Sequence, residues 1–269
     1  MTYPEIDPVA FSIGPLVVRW YALAYLGGIL LGWAYAVRLV RATAVWPKGK
    51  PPATAEQVGD FVTWVTLGII LGGRLGYGLF YNFGFYLENP AEMLKVWQGG
   101  MSFHGGLIGV IIAIIWFARK YKLPLGSFAD LIACVAPIGL LFGRLANFIN
   151  GELWGRVSDA PWAMVFPGAG DLPRHPSQLY EAALEGALLL IVIAALARWT
   201  GALKRPWLIT GIFVGGYGAA RSFVELFREP DAHIGFLGGG LTMGMALSLP
   251  MLIAGLVVIG AALRRPVAE

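Results

Sequence analysis

Residues 143–156 read GRLANFINGELWGR and follow directly on the apolar run CVAPIGLLF. Two arginines, two asparagines and a glutamate thus close a segment otherwise built of hydrocarbon. Arg144, Asn147 and Asn150 follow one another at intervals of three, so on a helix they share one side. Glu152 and Arg156 are four apart and would pair on a continuing helix, although Gly151 and Gly155 oppose that continuation. Arginine and asparagine at a membrane interface often only cap a helix and meet lipid headgroups. That account covers one arginine comfortably; five polar groups this close together ask for a ligand or an internal network.

Other stretches carry related chemistry. In GGMSFHGGL, residues 99–107, His104 stands at the start of an apolar block. Histidine is the side chain best suited to exchange a proton near neutral pH, and a packing or interfacial histidine is the alternative. Ser102 is two positions away, so its side chain points elsewhere, and GMSFH does not match the G-x-S-x-G nucleophile turn. In GGYGAARSFVELFREPD, residues 215–231, Tyr217, Arg221 and Glu225 recur every four residues on one helical face. An intramembrane Arg221–Glu225 ion pair is the plainer reading of that spacing. GGRLGYGLFYN supplies Arg74, RHPSQLYE supplies His175, Gln178 and Glu181, and Tyr21 lies near the outer end of the first apolar block.

The forked, permanently charged guanidinium suits phosphate, and the phosphate abundant in a membrane is a lipid headgroup. These residues therefore point to an enzyme or binder that grips an anionic lipid, with His104 available for proton transfer. The three histidines, His104, His175 and His233, lack metal-ligand spacing, and no nucleotide-type phosphate loop occurs. No metal, no other cofactor and no nucleic acid partner is expected. The lone Cys134 cannot form an internal disulfide and, set in an apolar block without a nearby cation, is a poor nucleophile.

The elements that must position these groups follow from composition. Of 269 residues 57% are hydrophobic and 13% charged, and mean hydropathy is +0.68. Several apolar blocks approach the roughly 20 residues needed to cross a bilayer. The expected fold class is an all-α polytopic membrane protein of about seven transmembrane helices, near 16–37, 58–80, 104–118, 128–146, 179–197, 207–227 and 242–263. Long polar connections fall near 81–103 and 147–178, and residues 1–269 read as a single integral-membrane domain. MTYPEIDP is acidic and lacks a cleavage site, so the first block is expected to stay in the membrane.

One alternate set of connections carries Arg38, Arg41, Lys48 and Lys50, then Arg119, Lys120 and Lys122, then Arg198, Lys204 and Arg205, and finally Arg264 and Arg265. The opposite set mixes Lys95, Arg144, Arg156, Arg174 and Arg228 with Glu5, Asp7, Glu88, Glu92, Asp159, Asp171 and Asp231. The positive-inside rule then sets the N-terminus outside, in a periplasmic position, and the C-terminus in the cytoplasm. Arg19, Arg74 and Arg221 fall within or beside the spans, where a charge costs roughly 2.5–3.5 kcal/mol on insertion scales. Each needs a partner, a wet cavity or an anionic ligand.

GRLANFINGELWGR resembles the signature of the bacterial prolipoprotein diacylglyceryl transferases. FHGGL, GGRLGYGLFYN, RHPSQLYE and YGAARSFVELFREPD match that family's other blocks in order, and the similarity extends from FSIGP near the start to the basic C-terminus. The resemblance implies a seven-span enzyme of the bacterial cytoplasmic (inner) membrane with its active site toward the periplasmic face. Its two partners would be phosphatidylglycerol and a prolipoprotein signal peptide with a lipobox cysteine. It would transfer the sn-1,2-diacylglyceryl group to that cysteine and release glycerol phosphate, the first step of lipoprotein maturation. By the same resemblance Arg144 contacts phosphatidylglycerol, Arg221 is the second essential arginine, and His104, Asn147, Glu152 and Tyr21 matter. Arg74, Asn150, Gly155, Arg156, His175, Glu181, Tyr217 and Glu225 complete the expected binding groups. The nucleophile is then the substrate's thiol, with His104 as the expected base.

Three other classes share part of this pattern. A secondary transporter would bind an anion at midplane arginines, yet the polar residues lie on one side and inverted repeats are not apparent. An intramembrane hydrolase would need a serine in reach of His104. A lipid-binding scaffold would need neither.

Overall fold

The computed structural model describes residues 1–4, 6–230, 237 and 240–267; Glu5, Asp231 and His233, each used in reading the sequence, lie outside the described residues. It opens with a hairpin of β1 (Val9–Ile13) and β2 (Leu16–Arg19), paired antiparallel with Ile13 opposite Leu16 and turned at Gly14, whose φ is +59°. Among the described residues, six helices are long and apolar enough to cross a membrane: α1 (Trp20–Arg41), α2 (Ala55–Phe80), α4 (Phe103–Lys120), α5 (Leu125–Ile149), α6 (Ser177–Trp199) and α8 (Met243–Leu263). Between α2 and α4 lies the short α3 (Phe83–Glu88), and α7 (Leu208–Val224) is a shorter apolar helix of 17 residues. A multi-pass helical membrane protein is the result.

Two details depart from the sequence expectation. Residues 16–19 form strand rather than the first turn of a span. LVVR centres on the β-branched Val17 and Val18, and the Gly14–Pro15 pair directs the chain into a hairpin before Trp20 begins α1. The helix expected over 207–227 stops at Val224 and continues as a tighter turn, with Phe227 N and Arg228 N both donating to Val224 O. Apolar side chains such as Leu30, Leu71, Ile112, Ile191 and Leu256 stand exposed along the helices. A surface of this kind suits hydrocarbon surroundings.

The chain divides into two compact units, residues 51–129 and residues 1–50 with 130–269, the division falling within α5. In the first, Thr54 and Gln57 form a reciprocal capping box at the start of α2. Helices α2 and α4 meet backbone to backbone along Gly68, Gly72, Gly105 and Gly109, where a Cβ on any of them would strike a main-chain atom of the other helix. With no apolar solvent penalty to drive helices together in lipid, such small-residue seams supply the close van der Waals contact that does.

In the second unit, buried Asp130 on α5 accepts hydrogen bonds from Trp207 N, Thr210 N and Thr210 Oγ1, each 2.7 Å, and so caps the start of α7. At the other end of α5, Gly151 adopts φ +65° and stops the helix, while the Tyr3 hydroxyl donates to the freed carbonyls of Phe148 (2.6 Å) and Ile149 (2.9 Å).

The seam makes a direct forecast. Gly109→Leu should force α2 and α4 apart and lower the unfolding temperature in detergent, at about 1–3 kcal/mol or more. Gly260→Ala, where an added Cβ meets nothing within 4 Å, should leave that temperature unchanged or slightly raised.

Candidate active site

The site grows out of three helix ends in the second unit. Arg144 lies one turn before the C-terminus of α5, Arg221 one turn before that of α7, and Glu181 in the second turn of α6. From Ala182 to Leu188, α6 widens into a π-helical segment, and Gly186 lets its backbone close onto Leu141 of α5. Such bulges re-aim side chains at functional positions. Here the segment carries Glu185 toward Arg144, four residues beyond Glu181.

Glu181, fully buried, is the hub. Its Oε2 is 2.6 Å from Arg144 Nε; its Oε1 accepts from Arg221 Nη1 at 2.6 Å and from Arg228 Nη1 at 2.9 Å. Arg144 Nη2 also lies 3.5 Å from Glu185 Oε2. Arg221 pairs in turn with Glu225, one helical turn on, and Glu225 Oε1 stands 3.8 Å from Arg228 Nε. Thr242, at the start of α8, donates to Glu225 Oε2 at 2.6 Å. Tyr217 is buried on the same face of α7, beside Glu185 and Arg144. The carboxylates are sealed while the arginine side chains keep 16% (Arg144), 13% (Arg221) and 11% (Arg228) of their surface. Guanidinium on the accessible side and carboxylate beneath is the arrangement that holds cations in an apolar body and still presents them to an anion.

A second knot adjoins it. Glu152 Oε1 accepts from Asn147 Nδ2 at 2.8 Å and Asn150 Nδ2 at 3.4 Å, and the Tyr21 hydroxyl on α1 meets Asn147 and is 3.2 Å from that of Tyr25. Gln178 Nε2 donates to Glu152 O at 2.6 Å. The helix ends at Ile149, and Glu152 turns back to the asparagines. Arg156 donates to Arg228 O (2.9 Å) and Glu225 O (3.1 Å), tying the loop to the turn after α7. Gly155 sits against Phe227 O and His175, where a Cβ has no room, and its N–H donates to His175 O at 2.8 Å. His175 Nδ1 is 3.0 Å from the Tyr180 hydroxyl. Burial pushes its imidazole below the usual range, so it is neutral at pH 7.

In the other unit, buried Arg74 is fully committed to its own loop. Its five N–H donors meet the carbonyls of Met93 (3.0 Å), Glu92 (2.7 Å), Lys95 (3.1 Å), Gly100 (3.3 Å) and Gly99, which leaves it the task of folding residues 92–100. Ser102 is buried, and its hydroxyl accepts from Gly105 N as the N-cap of α4. His104, in the first turn of α4, is exposed and packs edge-on against Phe103. Sequence reasoning did not single out Glu185 or Arg228 as site residues. Glu185 was detectable as a carboxylate inside an apolar span, and Arg228 as the residue two turns beyond Arg221.

A polytopic membrane protein with a buried arginine–glutamate cluster at three helix ends holds fixed guanidiniums of the kind that suit an anionic group. The chain belongs to the prolipoprotein diacylglyceryl transferase family, whose sequence profile matches residues 8–261. It is similar to the phosphatidylglycerol–prolipoprotein diacylglyceryl transferase of Rhizobium meliloti (strain 1021), with 60% identity across 95% of this chain and 92% of that protein. The protein of the same name from Nitrobacter hamburgensis is 57% identical across 100% of this chain and 94% of its own length. That from Methylocella silvestris is 57% identical across 98% and 97%.

The hub makes its own forecast. Glu181→Ala leaves Arg144, Arg221 and Arg228 facing one another without their shared counter-charge, and should destabilise the fold by about 3–5 kcal/mol, read as a large loss of unfolding temperature in detergent.

Proposed function

We propose that the protein transfers the diacylglyceryl group of phosphatidylglycerol to the cysteine thiol of a prolipoprotein lipobox, releasing glycerol phosphate, at the outer face of the bacterial inner membrane. The observation that carries this reading is the convergence of Arg144, Arg221 and Arg228 on Glu181, each guanidinium still partly accessible.

The chemistry asked of the protein is modest. The thiol sulfur attacks the glyceryl carbon that bears the phosphate, an S–C bond forms, the C–O bond breaks, and its electron pair leaves on the phosphate oxygen. Negative charge therefore grows on a group next to guanidiniums whose orientation is fixed before the reaction, which is where electrostatic stabilisation is most effective. Arg144 and Arg221 take that role. Tyr21, Asn147, Asn150, Glu152, Tyr217 and Glu225 orient the headgroup and the arginines; Gly155, Arg156, His175 and Glu181 hold the frame around them. Arg74 acts at one remove, by shaping the 92–100 loop.

The thiol's proton goes to His104, whose imidazole is exposed at the start of α4. The nucleophile belongs to the acceptor, in keeping with a Ser102 spent on a helix cap and a buried Cys134. The alternating basic loops support an outside N-terminus and a cytoplasmic C-terminus.

A detergent assay with phosphatidylglycerol and a lipobox peptide tests this reading. Wild type should release glycerol phosphate and add the diacylglyceryl mass to the peptide cysteine. Arg144→Ala should lower turnover on the order of 10²–10³-fold. No transfer by well-folded wild type would instead favour a scaffold or transporter. His104→Gln should reduce turnover by roughly 10²–10⁴-fold, as loss of a general base does. Near-normal transfer in that variant would remove the base assignment and leave the transferase.

A further inference from the structure

Three guanidiniums face three carboxylates in the cluster, so with every group ionised it carries no net charge to offer an anion. The carboxylates are not equivalent. Glu181 is gripped by three arginines, and Glu225 by Arg221 together with the Thr242 hydroxyl. Glu185 is fully buried, neither of its oxygens accepts a hydrogen bond among the described residues, and its ion pair is the 3.5 Å approach of Arg144. A carboxylate so placed has the least compensation of the three as an anion. The charged and titratable groups that face it are Glu181 on its own helix, Arg144 from α5, Tyr217 and Arg221 from α7, and Arg228 from the turn that follows.

We propose that Glu185 is the charge-setting residue of the site, binding one proton as the phosphodiester anion settles against Arg144, so that the cluster passes from neutral to one net positive charge and matches the single negative charge of the headgroup. This rests on the function proposed above. The proton comes from bulk water and returns to it when the anion leaves. Glu185 acts through Arg144 and is a positioning residue.

Proton uptake on binding fixes the direction of the pH dependence. Affinity is full where Glu185 of the free protein is already protonated and weakens as pH rises through that titration, by up to about tenfold per pH unit for one linked proton.

The experiment is equilibrium binding of fluorescent phosphatidylglycerol to full-length protein in neutral detergent, between about pH 5 and pH 9. Wild type should lose affinity with rising pH. Glu185→Gln, which imitates the protonated carboxyl, should bind with a flat profile. With a pH indicator in weak buffer, wild type alone should take up one proton per lipid bound, a readout that does not depend on the variant folding. A slope shared by wild type and Glu185→Gln, or binding by wild type without proton uptake, overturns the role of Glu185 and leaves the transferase standing. Failure of folded wild type to bind the lipid at any pH overturns both.

Discussion

Almost everything in the larger unit depends on how one buried carboxylate, Glu181, is compensated. A lone charge at that depth would be intolerable, and a single ion pair often fails to recover its desolvation cost. Glu181 instead receives guanidinium contacts from Arg144, Arg221 and Arg228, which arise from α5, α7 and the turn after α7. The ion network is therefore also a joint. It pins the ends of three segments to α6, and through Glu225 and Thr242 it reaches the residue that caps the start of α8. Helices in lipid lack the hydrophobic drive that packs soluble cores, so polar joints and glycine seams carry a larger share of the work.

The same geometry is what lets a structural cluster serve the role proposed for it. If the arginines were as buried as the glutamates, the network would be finished and closed. Their residual exposure leaves one side of each guanidinium open while the other is held, and the orientation is set before any ligand arrives. The loop over 147–178 serves this arrangement. Its strand-like bridges, Gly155 with Arg228 and Val157 with Arg174, anchor the turn that carries Arg228, and Arg156 ties off carbonyls at the end of α7.

What was legible in the sequence was whatever contrasts with its surroundings. Arg144, Asn147 and Arg221 stand out against hydrocarbon, and their spacing of three and four already set them on helix faces. Glu185 was harder to see because AALEGALLL reads as span, and the π-helical widening that brings it to Arg144 has no signature in residue type. Arg74 was legible as a charge beside a span, but its partners were not. Its partners are backbone carbonyls of residues 92–100, and no side-chain pattern announces a carbonyl cage. The hairpin was hidden by LVVR, which fits a span as well as a strand until the Gly14–Pro15 turn before it is weighed.

The division of labour follows from what the chain does not keep for itself. Ser102 is spent on a helix cap, Cys134 is enclosed in α5, and among the described residues no group of histidine, cysteine and carboxylate could hold a metal ion. The side chains concentrated at the helix ends are instead guanidiniums, amides, phenols and carboxylates, groups that orient and stabilise charge. A site so equipped suits a reaction whose nucleophile arrives with one substrate and whose leaving group departs from the other. In the reaction proposed for it, the rate depends on how firmly the leaving phosphate is met, and the net charge that Glu181, Glu185 and Glu225 leave on the arginines would set that firmness.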